Sequence, residues 1–280
     1  GYFGNRNLDD LNRSGILEQN KLVIVGYRAS AVRGDTPVLY SVRAGMAEEI
    51  QKITQHLATI GITRLGLLYE EGPNSSAVLT AANEAAKRAG SVILVQASFV
   101  EGSARVRPAV DKIIAATPQA VIMLTTGAAA TAGFIELYRD AGGSAQLFAL
   151  SGSDVEQLSG RLSEEQMQGV VIAQVTPSPY AMTSRLSKEV IDTLSKSKTV
   201  DKSAPPPSYT LMEGFIACKV IVEAVRRQGK SVTREGMKTA LDSITGLDLG
   251  GYVISFSPNS RIGSRFVALS IVTAAGKIRQ

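Results

Sequence analysis

The chain has 280 residues, enough for two lobes that each bury a core of their own. With 44% hydrophobic and 20% charged residues its composition is globular, and no apolar run approaches the ~18 residues of a membrane-spanning helix. The net charge of +5 comes from scattered lysines and arginines, with no basic block interleaved with aromatics; this argues against nucleic-acid binding and leaves a mild attraction for anions.

The opening Gly1-Tyr2-Phe3-Gly4 resembles the end of a strand turning into a helix, and no initiator methionine, charged n-region or apolar signal core precedes it. Upstream sequence is therefore expected. Residues 5–19 read as one helix, capped by Asn5 or Asn7, with Leu8, Leu11, Ile16 and Leu17 on its apolar face. Residues 21–25 and 38–43 read as strands around a polar loop that holds Gly26, Tyr27, Arg28 and Ser30. Residues 45–60 are an amphipathic helix with Ile50, Ile53, Leu57 and Ile60 on one face.

A regular alternation follows. Strands are predicted at 64–69, 91–99, 120–124 and 146–150, separated by helices at 75–87, 106–116 and 128–140. Helical crossovers of this length mean a parallel sheet with helices on both faces. The unbroken apolar runs fit strands buried on both sides. Such sheets bind ligands beyond the carboxyl ends of their strands. Those ends are residues 70–76, 125–128 and 151–154, mostly small or polar, and they are the first candidate site.

Beyond them, a short helix at 154–159 leads to a strand at 169–176 that ends in Pro177-Ser178-Pro179, then a helix at 183–197. The longest helix, 209–228, carries Leu211, Phe215, Cys218, Ile221 and Val225 as its stripe, which makes the lone Cys218 a packed thiol. A helix at 233–244 has Ser231 or Thr233 as its cap. Residues 252–256 and 265–272 pattern as an antiparallel hairpin. Segments 42–45 and 176–179 are expected to be places where the chain passes between lobes, with 246–251 as a third candidate.

Catalytic chemistry is hard to build here. The single histidine, His56, flanks an apolar helix face with no nucleophile indicated beside it. One Cys and one His cannot make a Cys/His zinc site, and there is neither a P-loop nor a G-x-G-x-x-G after a strand. Glu70-Glu71 read as paired charges at a loop or helix start. The chain is read as a non-enzyme with no cofactor and no metal.

Taken together, the segments resemble those of a known family. Gly1-Tyr2-Phe3-Gly4, the 22–26 strand and loop, Val42-Arg43, Leu68-Tyr69-Glu70-Glu71, the 169–177 strand, the 207–214 helix start and the 256–263 turn follow one another as in the solute-binding proteins of branched-chain amino acid and amide ABC transporters. The resemblance covers residues 1–280. It implies a type I periplasmic-binding fold: two α/β lobes, each a mostly parallel sheet flanked by helices, joined by three crossing segments. Lobe one would be 1–43 and 177–247, lacking its opening βαβα segment; lobe two would be 44–176 and 248–280. It further implies a periplasmic, monomeric protein that closes on a small-molecule ligand by hinge motion and signals to a membrane permease. A ligand-sensing regulatory module of the same fold is the alternative.

Family positions carry over residue by residue. Asn5 stands where a hydroxyl residue usually meets the ligand carboxylate, and Gly26, Tyr27 and Arg28 stand where backbone groups add to that site. Asn74 and Gly127 replace two aromatics. Ser151 and Ser153 occupy the turn that usually carries the ammonium-binding acid, with Asp154 displaced and Glu48 or Glu49 as the alternative acid. Arg28 is the sharpest candidate, because a guanidinium takes a carboxylate bidentately. The expected ligand is a small carboxylate or amide, amino acid-like or aromatic, with room left by Asn74 and Gly127.

Overall fold

The computed structural model describes residues 4–29, 37–200, 206–274 and 277–279, with the side chains of residues 5, 6 and 198–200 outside that description. By chain contacts it divides into two units, Gly1–Gly45 with Val175–Phe266 and Met46–Gln174 with Val267–Gln280, so the chain passes from one to the other three times. The last boundary differs from the sequence expectation, which placed 248–266 in the second lobe. Tyr252, Ile254 and Phe256 are buried in the first unit's core, and that packing decides where the segment belongs.

Unit 1 opens with α1 (Asn5–Arg13) and α2 (Ile16–Gln19). The single helix expected over 5–19 is broken at Gly15, whose φ of 67° is left-handed. β1 (Ile24–Val25) and β2 (Leu39–Tyr40) then pair in parallel. Ser30, part of the expected polar loop, lies outside the described residues.

Unit 2 holds α3 (Met46–Thr59), β3 (Arg64–Glu71), α4 (Ser75–Arg88), β4 (Val92–Val100), α5 (Arg107–Ala116), β5 (Ala120–Leu124), α6 (Ala128–Asp140), β6 (Gln146–Ala149), α7 (Val155–Ser159), α8 (Glu164–Met167) and β7 (Val171–Gln174). The alternation read from sequence is the one observed. Strand order in the sheet is β4-β3-β5-β6-β7, every neighbouring pair parallel. Ile50, Ile53 and Leu57 of α3 pack on Leu65, Leu67, Ile122 and Phe148 of the sheet, all essentially inaccessible. Each such side chain contributes about 1.5–3 kcal/mol on burial.

Back in unit 1, α9 (Arg185–Val200), α10 (Tyr209–Gln228) and α11 (Arg234–Asp242) precede the short antiparallel pair β8 (Leu247–Asp248) and β9 (Val253–Ile254). Thr233 caps α11, accepting from the Gly236 N–H. The chain ends in unit 2 with β10 (Ala268–Val272) and β11 (Ile278–Arg279), which extend the sheet beyond β7 in antiparallel fashion. The hairpin expected between 252–256 and 265–272 does not form, because β9 pairs with β8 and β10 with β7.

The α10 stripe is also rotated from expectation. Met212, Ile216, Ala217, Val220 and Ala224 are buried, whereas Cys218, Ile221 and Val225 are exposed. Two faces of α10 are apolar, and close approach selects the one with alanines. A Cβ on Gly26 would lie 2.3 Å from the Ala217 Cβ, so the backbone after β1 passes directly against that face.

Candidate functional site

In unit 1 the residues after β1 meet the start of α1. The Gly4 N–H donates to the Arg28 carbonyl at 2.9 Å, placing the first turn of α1 beside the 26–28 loop. α1 begins at Asn5, with Gly4 rather than Asn5 at its cap position; the Asn5 side chain lies outside the described residues. Gly26 has a left-handed φ of 70° and donates its N–H to the Tyr40 carbonyl, while Tyr27 is buried. Arg28 is not a solvated loop arginine. Its side chain is 13% exposed, donates to the Thr210 hydroxyl at 2.5 Å and lies 3.6 Å from a Glu213 oxygen. Glu213 also takes Arg43, a fully buried guanidinium, at 3.3 Å. Thr210 and Glu213 are both on the first turns of α10, so that helix start anchors the 26–28 loop.

In unit 2 the carboxyl ends of β3, β5 and β6 share one edge of the sheet. Asn74 holds the cap position of α4 without making a capping bond. Gly127 holds that of α6 in extended backbone (φ −146°), and a Cβ built there would meet nothing within 4 Å. Ser151 is buried; its N–H and hydroxyl donate to the two oxygens of Glu49 at 2.7 and 2.8 Å. Glu49, one of the two alternative acids, therefore meets this edge through Ser151. Ser153 is fully buried in a ring of hydroxyls, 3.2 Å from Thr125 and 3.0 Å from Thr131. Asp154 caps α7, accepting from the Gln157 N–H.

The acid that sequence reading set aside is here too. Glu70, at the end of β3, accepts from the Thr126 N–H at 2.9 Å and from its hydroxyl at 2.6 Å. Burial raises its pKa above the ordinary 4.5, and the charge of Glu101 adds to this, against the lowering by Thr126's two bonds. Glu71 accepts from Ser98, and the Glu101 carboxylate lies over Gly72.

Asn74, Gly127 and Ser151 thus lie along one edge with Ser153 behind it, and Gly26 to Arg28 lie at the head of α1 and α10. Sequence reading missed Thr210, Glu213, Thr126 and the role of Glu70. Glu213 falls in the 207–214 segment that carried the resemblance, but no local pattern pairs it with residues 28 and 43. Among the described residues no group of three or more His, Cys, Asp or Glu is placed to hold a metal. A polar hollow at the amino ends of β6 and β7 is lined by Arg139, Gln146, Gln168 and Ile271. It lies at the opposite edge from the candidate residues.

A family model described as periplasmic binding protein matches residues 11–277. Among solved structures, a substrate-binding periplasmic protein from Ralstonia solanacearum is similar at 32% identity and TM-score 0.85, over 97% of this chain and 76% of that one. A possible leucine/isoleucine/valine-binding protein from Rhodopirellula baltica SH 1 is similar at 22% identity and TM-score 0.86, over 100% and 76%. A branched chain amino acid ABC transporter protein from Thermus thermophilus with bound valine is similar at 14% identity and TM-score 0.78, over 99% and 75%. The last two show likeness of fold. No curated protein matches the chain. No described helix is long and apolar enough to cross a membrane.

Proposed function

This chain belongs to the periplasmic binding protein family, and from that premise we propose that it is the extracytoplasmic solute-binding component of an ABC importer, taking a small carboxylate- or amide-bearing ligand. The family is one of binding proteins, not enzymes, and implies a ligand and transporter components as partners. The observation that carries the ligand chemistry is Arg28, whose charge is held at the head of α10 and whose backbone is tied to the start of α1. A guanidinium held in this way at the positive end of α10 favours a carboxylate.

In this reading Asn5, Gly26, Tyr27 and Arg28 serve the carboxylate, and Asn74, Gly127, Ser151 and Ser153 shape the rest. The working form in this reading is a monomer that docks on a membrane permease.

A thermal-shift screen against amino acids, amides and aromatic acids tests it, since a ligand bound only by the native state raises the melting temperature by mass action. One chemical class of carboxylates should give shifts, and Arg28→Ala should weaken their binding about ten-fold or more. Unchanged affinity in Arg28→Ala removes Arg28 from the site. Silence across every carboxylate and amide removes the ligand class.

A further inference from the structure

The hollow at the amino ends of β6 and β7 belongs wholly to unit 2, encloses about 900 Å³ and plays no part in the proposed function. Sites that take small molecules span roughly 300–1,000 Å³ and are mostly apolar. This one is polar. Its cation is Arg139, in the last turn of α6 and half-buried. One guanidinium nitrogen, Nη2, donates to the Gln168 carbonyl at 3.2 Å, and the Nε is buried without a partner. Its acids are Asp140 and Glu165, both exposed. Cation and acids line one hollow, yet among the described residues Arg139 forms no ion pair with either. Gln146, which opens β6, adds an amide, and Ile271 of β10, 41% exposed, supplies an apolar wall.

We propose that this hollow binds a neutral saccharide, at a site distinct from the candidate solute residues. An anion is opposed by Asp140, by Glu165 and by the carbonyl end of α6, and a cation is opposed by Arg139. No group of three or more His, Cys, Asp or Glu among the described residues is placed to hold a metal. A hydroxyl both donates and accepts. Adjacent hydroxyls on a sugar ring can therefore bridge a guanidinium and a carboxylate that do not pair with each other. Arginine, glutamine, aspartate and glutamate all end in planar groups that present two polar atoms side by side, which suits a pair of neighbouring hydroxyls. Ile271 offers the C–H face of the ring an aliphatic surface. The proposal goes beyond the carboxylate-binding function and does not depend on it.

Titration calorimetry on the intact protein with maltose, cellobiose and chitobiose should give at least one binder. Its affinity should not change between low and high salt, because the ligand is neutral. A free sugar and the end of a longer glycan share this chemistry, and the four-ring counterparts separate them: tighter binding of the longer chain identifies a glycan. Gln168→Trp fills the hollow from an exposed position and keeps the backbone carbonyl that holds Arg139, so it should abolish binding without lowering the melting temperature. Glu165→Gln exchanges a charged acceptor for a neutral one and should weaken binding about three- to ten-fold. In amide NMR spectra the sugar should shift Gln146 and Gly169. Full-strength binding by Gln168→Trp overturns the proposal, as does displacement of the sugar by a carboxylate solute. Silence with every one of these sugars also overturns it, and so does binding of inorganic phosphate or putrescine at Gln146 and Gly169 in their place. The carboxylate reading stands or falls separately, with Arg28→Ala.

Discussion

The two units treat buried charge in opposite ways. In unit 1 the acids are met by bases: Glu213 lies between two guanidiniums, and Asp242 takes Lys238, Arg261 and the Tyr40 hydroxyl. On the strand-end edge of unit 2, Glu70 is met by a hydroxyl and a backbone N–H. Removing one partner of a paired charge inside a protein strands the other. The family tells what kind of protein this is; the contrast between the units tells which buried charges are paired and which are held by neutral donors.

The sharpest way to break the comparison is Glu213→Ala. Arg43 is 1% exposed and would be left facing Arg28 without the carboxylate. We expect a loss of about 3–5 kcal/mol in urea unfolding, with part of it recovered by adding Arg43→Met. Little change would mean that the pairing is not architectural. Tyr252→Phe comes next, because its buried hydroxyl serves the carbonyls of Val42 at 2.7 Å and Val175 at 3.0 Å. Stranding both acceptors should cost about 1–3 kcal/mol by the same measurement. Ser151→Ala keeps the N–H bond to Glu49 and loses the hydroxyl one, for about 1 kcal/mol.

Acid should separate the units by sign. Burial alone would raise the pKa of Asp242, but the Tyr40 and Lys238 bonds and the Arg261 charge outweigh it and bring the pKa below 3.8. Its stabilising effect is therefore present above pH 3.8 and is lost as pH falls through the lowered value. Glu70 runs the other way. With its folded pKa above 4.5, the native state binds the extra proton, so its contribution worsens as pH rises beyond 4.5. Glu70→Gln should raise the ligand-free melting temperature at pH 7, and the gain should shrink towards pH 4. A lower melting temperature at pH 7 would show that Glu70 is architectural after all. The smallest effect belongs to Gly127→Ala, whose new Cβ meets nothing and whose backbone is ordinary. Thermal unfolding should change by no more than about 0.5 kcal/mol.

Unit 2 was legible because its signal is local: apolar strands such as 120–124 are buried from end to end, and glycines and polar loops separate the elements. Unit 1 was read less well because its short strands leave little pattern. β1 and β2 are two residues each, and α10 offers two apolar faces between which only tertiary packing chooses. The candidate edges were visible from strand ends. What periodicity does not encode is who pairs with whom: Arg28 and Glu213 are far apart in sequence, as are Glu70 and Thr126. Glu70 in particular looked like one of two adjacent surface acids until Thr126 was seen to hold it.

The threefold passage of the chain between units also has a consequence for how the molecule is made. Nearly all of unit 2 is one uninterrupted run, Met46–Gln174, whereas unit 1 joins 1–45 to Val175–Phe266. The Ser41–Ile262 bridge and the Tyr252 bond to Val42 connect opposite ends of the polypeptide. On a ribosome the parallel sheet has its central strands available while α10, which packs against β1, and Ile262, which bridges Ser41, are still unsynthesised. Local crossovers close fast and distant pairings slowly, so unit 2 should fold first and serve as a structured loop that brings the halves of unit 1 together. Pulsed amide exchange during refolding should show β3, β5 and β6 protected before α10 and β2; simultaneous protection would mean that the two units fold as one.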